Sequence, residues 1–225
     1  MRINEKIALR TSKCVLVPYE KHHVPIYHEW MKSPEIQYLT ASEPLTLDEE
    51  YQMQQSWRTD TDKLTFIVLD PSLEDNRTPE DGNRGGSCQC HSPVIAAYAG
   101  MVGDVNLFFT DFESAVTAEL EVMIAVAGAR GKGIGEAACR GIMAFATSIN
   151  RKVHGKDETV PSEGEHFPVT VFRAKIKTGN SVSLNLFQNK LGFVEVSRSQ
   201  VFDEITLELP VNETMPRYSV EVEHL

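Results

Sequence analysis

The stretch Ala118-Glu-Leu-Glu-Val-Met-Ile-Ala-Val-Ala-Gly-Ala-Arg-Gly-Lys-Gly-Ile-Gly135 decides the fold. Its first half, Glu119–Val126, reads as a strand, with Glu119, Glu121, Met123 and Ala125 on one face by alternation. Its second half places glycine at 131, 133 and 135. It opens a segment whose apolar residues Ile134, Ala138, Ile142, Phe145 and Ile149 are spaced 4, 4, 3 and 4, which is helical spacing. A strand that enters a helix through such a turn can point successive backbone N–H groups outward, and the helix N-terminus adds partial positive charge. The glycines let an anion approach the backbone closely, so the turn suits a phosphate or pyrophosphate. It lacks the six-residue glycine fingerprint of a dinucleotide-binding unit and the Gly-Lys-Ser/Thr ending of a P-loop.

Upstream, Lys13–Pro18 reads as a strand closed by proline, and Pro25 starts a helix containing Ile26, Trp30 and Met31. Ser33-Pro34 is a second start, with serine as N-cap, and Thr46-Leu-Asp-Glu49 is a capping box for a helix over Leu47–Trp57. Strands follow at Leu64–Leu69, Val94–Tyr98 and Met101–Phe109, with Gly100 and Gly103 marking bulges or bends. Downstream, the strand Val169–Ile176 leads into a helix capped near Asn180, with Leu184, Phe187 and Leu191 as its stripe and Gly192 as its stop. Phe193–Val196 and Val201–Leu209 read as a final hairpin. Residues 1–209 form one domain with polar insertions at 71–93 and 152–168, and 210–225 is an acidic, flexible tail.

The chain has 225 residues, 22 basic and 32 acidic, a net charge of −10. That argues against nucleic acid as a partner, since phosphate backbones are bound by Lys and Arg. It suits a cationic amine and, more simply, solubility. No apolar run reaches the ~20 residues of a membrane span, and Met1–Arg10 has no signal-peptide core. Cys14, Cys88, Cys90 and Cys139 form no disulfide framework, which points to the cytoplasm. Cys88-Gln-Cys90-His91 has no second ligand pair at zinc spacing, so no metal is expected.

Arg130-Gly-Lys-Gly133-Ile-Gly135 resembles the (Arg/Gln)-x-x-Gly-x-(Gly/Ala) pyrophosphate loop of the GNAT acetyltransferases. Asn180-Ser-Val-Ser183, with Phe187 and Lys190-Leu-Gly-Phe193, resembles the Asn-x-x-Ser … Lys-x-Gly-Phe element of the same superfamily. The segments Val17-Pro-Tyr, His28-Glu-Trp-Met-Lys-Ser, Leu39-Thr-Ala-Ser-Glu-Pro-Leu-Thr-Leu and Val102-Gly-Asp-Val-Asn-Leu-Phe look like the N-acetyltransferase 9 family. The resemblance implies a single α+β domain, a mixed and mostly antiparallel sheet flanked by helices. It implies direct acetyl transfer from acetyl-CoA, as cosubstrate, to an amine. The implied acceptor is a protein α-amine or lysine. A small-molecule amine, or an acetyl-CoA-binding scaffold with little turnover, remains the alternative.

The same resemblance implies site residues. Arg130, Gly131, Lys132, Gly133, Ile134, Gly135 and Glu136 would hold the pyrophosphate, and backbone groups of Met123, Ile124 and Ala125 the thioester end. Asn180, Ser183 and Phe187 would face coenzyme A. The attacking amine must be neutral, although a lysine has a pKa of ~10.4, so a general base is needed. Superfamily members often carry a glutamate eleven residues before the loop, which is Glu119 here, with Glu121 as second choice. Two departures stand out. Many members carry a tyrosine where Phe187 stands, and phenylalanine cannot protonate a thiolate. The segment from Asn180 to Phe193 is one residue longer than usual.

Overall fold

The computed structural model describes residues 3–76, 100–110, 116–154, 169–212 and 220–225. Strands β1 (Ile7–Arg10) and β2 (Val15–Pro18) come first. Helices α1 (Val24–Met31), α2 (Pro34–Thr40) and α3 (Leu47–Thr59) follow. Local chemistry sets their starts. Ser33 Oγ accepts from the Ile36 amide at 3.4 Å, ahead of Pro34. Thr46 and Glu49 cap each other reciprocally, the Glu49 carboxylate accepting from the Thr46 amide at 2.8 Å. Strands β3 (Lys63–Leu69), β4 (Met101–Thr110) and β5 (Val116–Ile124) lead into α4 (Ile134–His154) and β6 (Val169–Lys177). Helix α5 (Ser181–Asn185) runs directly into a π-helical turn, Leu186–Leu191, which Gly192 terminates. Strands β7 (Val194–Ser199), β8 (Glu204–Pro210) and β9 (Glu221–His224) complete the chain.

The strands form one sheet in the order β7-β8-β6-β5-β4-β3-β2-β1-β9. Every neighbouring pair is antiparallel except β5 and β6. The expected mixed, mostly antiparallel sheet flanked by helices is therefore present. Alternation gives the sheet two faces with different cores. On one face α4 lays Ile134, Ala138, Ile142 and Phe145 against Phe66, Leu107, Leu120 and Phe172. On the other, α1, α2 and the segment before them place Tyr19, Val24, Tyr27, Met31 and Ile36 over Ile67, Leu69 and Met123.

Strand β1 carries too short a signal to be read from the sequence, and the acidic tail hides β9. Yet Glu221–His224 pairs with Ile7–Arg10, and Glu223 meets Arg10 at 2.7 Å. The ladder covers an edge of β1 that would otherwise be unpaired. Helix α4 extends through residue 154, into the segment read as the second insertion, and residues 71–76 form 3-10 turns. The expected strand Val94–Tyr98, the rest of both insertions and the Cys88-Gln-Cys90-His91 cluster lie outside the described residues.

Gly103 shows why β4 and β5 can pair closely. It sits opposite Ile124, and a Cβ there would stand 1.9 Å from the Met123 carbonyl oxygen. No side-chain rotation relieves a clash with backbone, so the strand itself must move. Gly103→Ala should cost at least ~3 kcal/mol, a fall in Tm of roughly 6–12 °C for a chain of this size. Calorimetry of the purified variant checks this.

Candidate active site

The two central strands part company. Pairing between β5 and β6 runs from Val116↔Val169 to Glu119↔Arg173 and stops, while β5 continues to Ile124 and β6 to Lys177. Each strand is held from its outer side, β5 by β4 and β6 by β8, so the gap is a built opening in the sheet. Backbone groups on the inner edges of this cleft have no ladder partner.

The glycine-rich turn stands at the top of the cleft. Gly131 and Gly133 adopt φ of 75° and 83°, in the left-handed region, and nothing lies within 4 Å of where a Cβ would sit on either. The α4 helix follows at once, with Ala137 the residue that closes onto the Gly133 carbonyl. The amides of Ile134, Gly135 and Glu136 precede that first helical bond and are available to an anion. The turn thus fits a pyrophosphate. Its side chains are employed differently. The Arg130 guanidinium folds back to the Ile124 carbonyl at 2.8 Å and reaches Glu35 of α2 at 3.5 Å. Lys132 is exposed, Ile134 is core, and Glu136 is bound to Arg140 at 2.8 Å. The Ala125 amide donates to Val102 on β4 at 2.8 Å, while Met123 is nearly buried opposite Asp104.

Asn180 is the N-cap of α5, its Oδ1 accepting from the Ser183 amide at 3.0 Å. Phe187 is 2% exposed and meets Phe193 edge-on at 5.1 Å, in the core on the α4 side. The extra residue between Asn180 and Phe193 is taken up by the π turn, in which the Gly192 amide reaches back to Phe187.

Both glutamates lie on the sheet face beneath α1–α3. Register places Glu119 opposite Phe108 and Glu121 opposite Asn106. Glu119 is paired with Lys175 of β6 at 2.8 Å, where the strands separate. Among the described residues no hydrogen bond or ion pair holds Glu121. The residue as a whole is exposed, but the protein around its carboxyl displaces enough water to raise it above the ordinary range. Lys63 pulls it back and Glu119 pushes it further. Sequence reading missed Asp104, Asn106, Lys63 and Lys175, all of which share this face. The available signal was a pair of polar residues, two apart, inside the apolar run Met101–Phe109.

Acetyl transfer is the chemistry that joins these parts, and similarity agrees. The GNAT acetyltransferase domain model matches residues 13–194. The chain belongs to the GNAT acetyltransferases, in the N-acetyltransferase 9 family. A Homo sapiens relative, alpha/beta-tubulin-N-acetyltransferase 9, is 43% identical over 98% of this chain and 91% of its own length. Two solved structures share the fold. Spermidine N-acetyltransferase from Vibrio cholerae, in complex with CoA and spermine, has a TM-score of 0.56 at 15% identity, over 92% of this chain and 96% of that one. The microcin C7 self-immunity acetyltransferase, in complex with acetyl-CoA and AMP, has a TM-score of 0.59 at 10% identity, over 89% and 93%. The protein is an N-acetyltransferase with acetyl-CoA as cosubstrate. No helix among the described residues is long and apolar enough to cross a membrane.

Two predictions follow from the geometry. A valine at position 133 would be forced out of the left-handed region and would turn the amides away. Gly133→Val should weaken acetyl-CoA binding at least ~10-fold, or ~1.4 kcal/mol, with the parent fold retained. Calorimetric titration measures it. The second concerns Asp104, which burial first, then the charge of Glu121, pushes from 3.8 up to about 7 against Asn106 and Lys63. The folded chain therefore keeps this proton where the unfolded chain has lost it. Stability is present in acid and is lost as pH rises from ~4 to ~7. Asp104→Asn should melt with the parent at pH 4 and above it at pH 8, as thermal denaturation across pH will show.

Proposed function

We propose that this enzyme acetylates a protein amine, with Glu121 as the general base and Glu119, paired to Lys175, beside it. The observation that carries the reading is the position of Glu121. It stands on the acceptor-side face of β5, without a fixed partner, two residues from Met123 at the cleft. A raised carboxyl is a better proton acceptor at neutral pH than an ordinary one. The pairing of Glu119 with Lys175 supports a second place for it, because that contact already engages its carboxylate.

In this scheme the amine nitrogen attacks the thioester carbonyl while Glu121, directly or through water, takes its proton. The C–N bond forms, the carbonyl becomes an oxyanion, and collapse breaks the C–S bond. The thiolate then takes its proton from solvent, since Phe187 has none to give. The tubulin named for the human relative supports α- or β-tubulin as the first acceptor to assay, at its α-amine or a lysine. Helix α2 supports an acceptor entering over the cleft. It spans from Glu35, facing Arg130, to Tyr38, whose hydroxyl meets Asp203 at the β7–β8 turn at 3.2 Å.

With tubulin and its terminal peptides as acceptors, Glu121→Gln should lower kcat by ~10²–10⁴ while acetyl-CoA affinity is kept. Higher pH should partly rescue the variant, because more amine is then neutral. Glu119→Gln should lose less. Full activity in Glu121→Gln beside a large loss in Glu119→Gln would exchange the two roles.

A further inference from the structure

The face that carries Glu119 and Glu121 holds a third carboxylate, which the reaction above does not use. Asp104 is 3% exposed, on β4, with Ile67 and Met123 as its cross-strand neighbours. It is the diagonal neighbour of Glu121, a separation of ~7–8 Å in a sheet that long side chains bridge. Asn106 stands directly opposite Glu121 and donates its amide to Asp104 Oδ2 at 2.7 Å. This fixes the Asn106 amide, so that its Oδ1 is the atom left over. Neither that oxygen nor Asp104 Oδ1 has a hydrogen-bond partner among the described residues.

Stability does not explain the arrangement. A buried carboxylate with one oxygen unserved is costly, and the apolar neighbours would accept an apolar side chain. What the arrangement does is bring an anionic group and a fixed acceptor to one side of Glu121. An ionised Asp104 makes a second negative charge unwelcome, and Asn106 Oδ1 can accept from a protonated Glu121.

Resting on the reading of Glu121 as base, we propose that Asp104 is a positioning residue: with Asn106 between them, Asp104 and Glu121 hold one proton in common, which strengthens Glu121 as the acceptor of the amine proton. In the step itself the proton leaves nitrogen as the C–N bond forms and arrives on a Glu121 oxygen. It passes to solvent after the product departs. Lys63 of β3 favours the ionised forms of both carboxyls. Tyr27 of α1 and Tyr19, after β2, are held neutral far above their ordinary range, by burial first. Glu50 of α3, beside His28, acts on both tyrosines, and Tyr51 on Tyr19. Glu119 and Lys175, paired to each other, complete the set.

The test is a titration of the glutamate carboxyl carbons by carbon-13 NMR on the full chain, with Glu121 assigned by the signal lost in Glu121→Gln. In the parent, Glu121 should titrate in two steps, as coupled sites do. In Asp104→Asn it should show one step, lower by about one pH unit or more. The acid limb of the kcat/KM profile should move down by the same amount. A single step for Glu121 in the parent overturns the proposal, and so does an unchanged Glu121 curve in Asp104→Asn. A shifted carboxyl curve with an unmoved rate profile leaves the shared proton standing and overturns Glu121 as base.

Discussion

The structure turns on the failure of β5 and β6 to remain paired. A parallel pair in mid-sheet normally continues its ladder, because each unmade backbone bond is a loss. Here it ends at Glu119↔Arg173 although both strands run on. The loss is tolerable because antiparallel partners hold both strands from outside and α4 packs beneath. An extended ligand can then be gripped by main chain as well as by side chains. The glycine turn, the glutamates and α2 are all arranged around that one opening.

The two faces of the sheet divide the labour. The α4 face is an apolar core, from Phe66 to Leu207, and supplies hydrophobic stabilisation. The other carries Asp104, Asn106, Glu119, Glu121, Lys63 and Lys175 beneath a thinner apolar layer. Polar and charged groups, Asp104 buried among them, are thus gathered on the face away from the larger core.

Much of this was legible beforehand, for physical reasons. Capping and helix-starting residues such as Thr46 and Ser33-Pro34 act within a few residues, so the helices they begin could be read directly. The strand, turn and helix around Gly131 and Gly133 could be read because left-handed backbone leaves glycine behind as a trace. What escaped reading depends on partners distant in sequence. Strand β9 exists because β1 offers it an edge, some two hundred residues away. The contact between Glu119 and Lys175 needs two strands brought side by side. Asp104 reads as an ordinary polar residue in a strand, because what sets it apart is its place opposite Met123, diagonal to Glu121.

The π turn after α5 changes what counting along the chain means. A π turn is wider than an α turn and absorbs one added residue, so that what lies beyond it keeps its direction while its index moves by one. Phe187, whose carbonyl opens the wide turn, points into the core against Phe193, which lies beyond that turn. Equivalence in this part of the molecule is therefore a matter of angle rather than of index. An alignment that keeps every column in step across a turn of this kind will set what lies beyond it one column away from its counterpart in space.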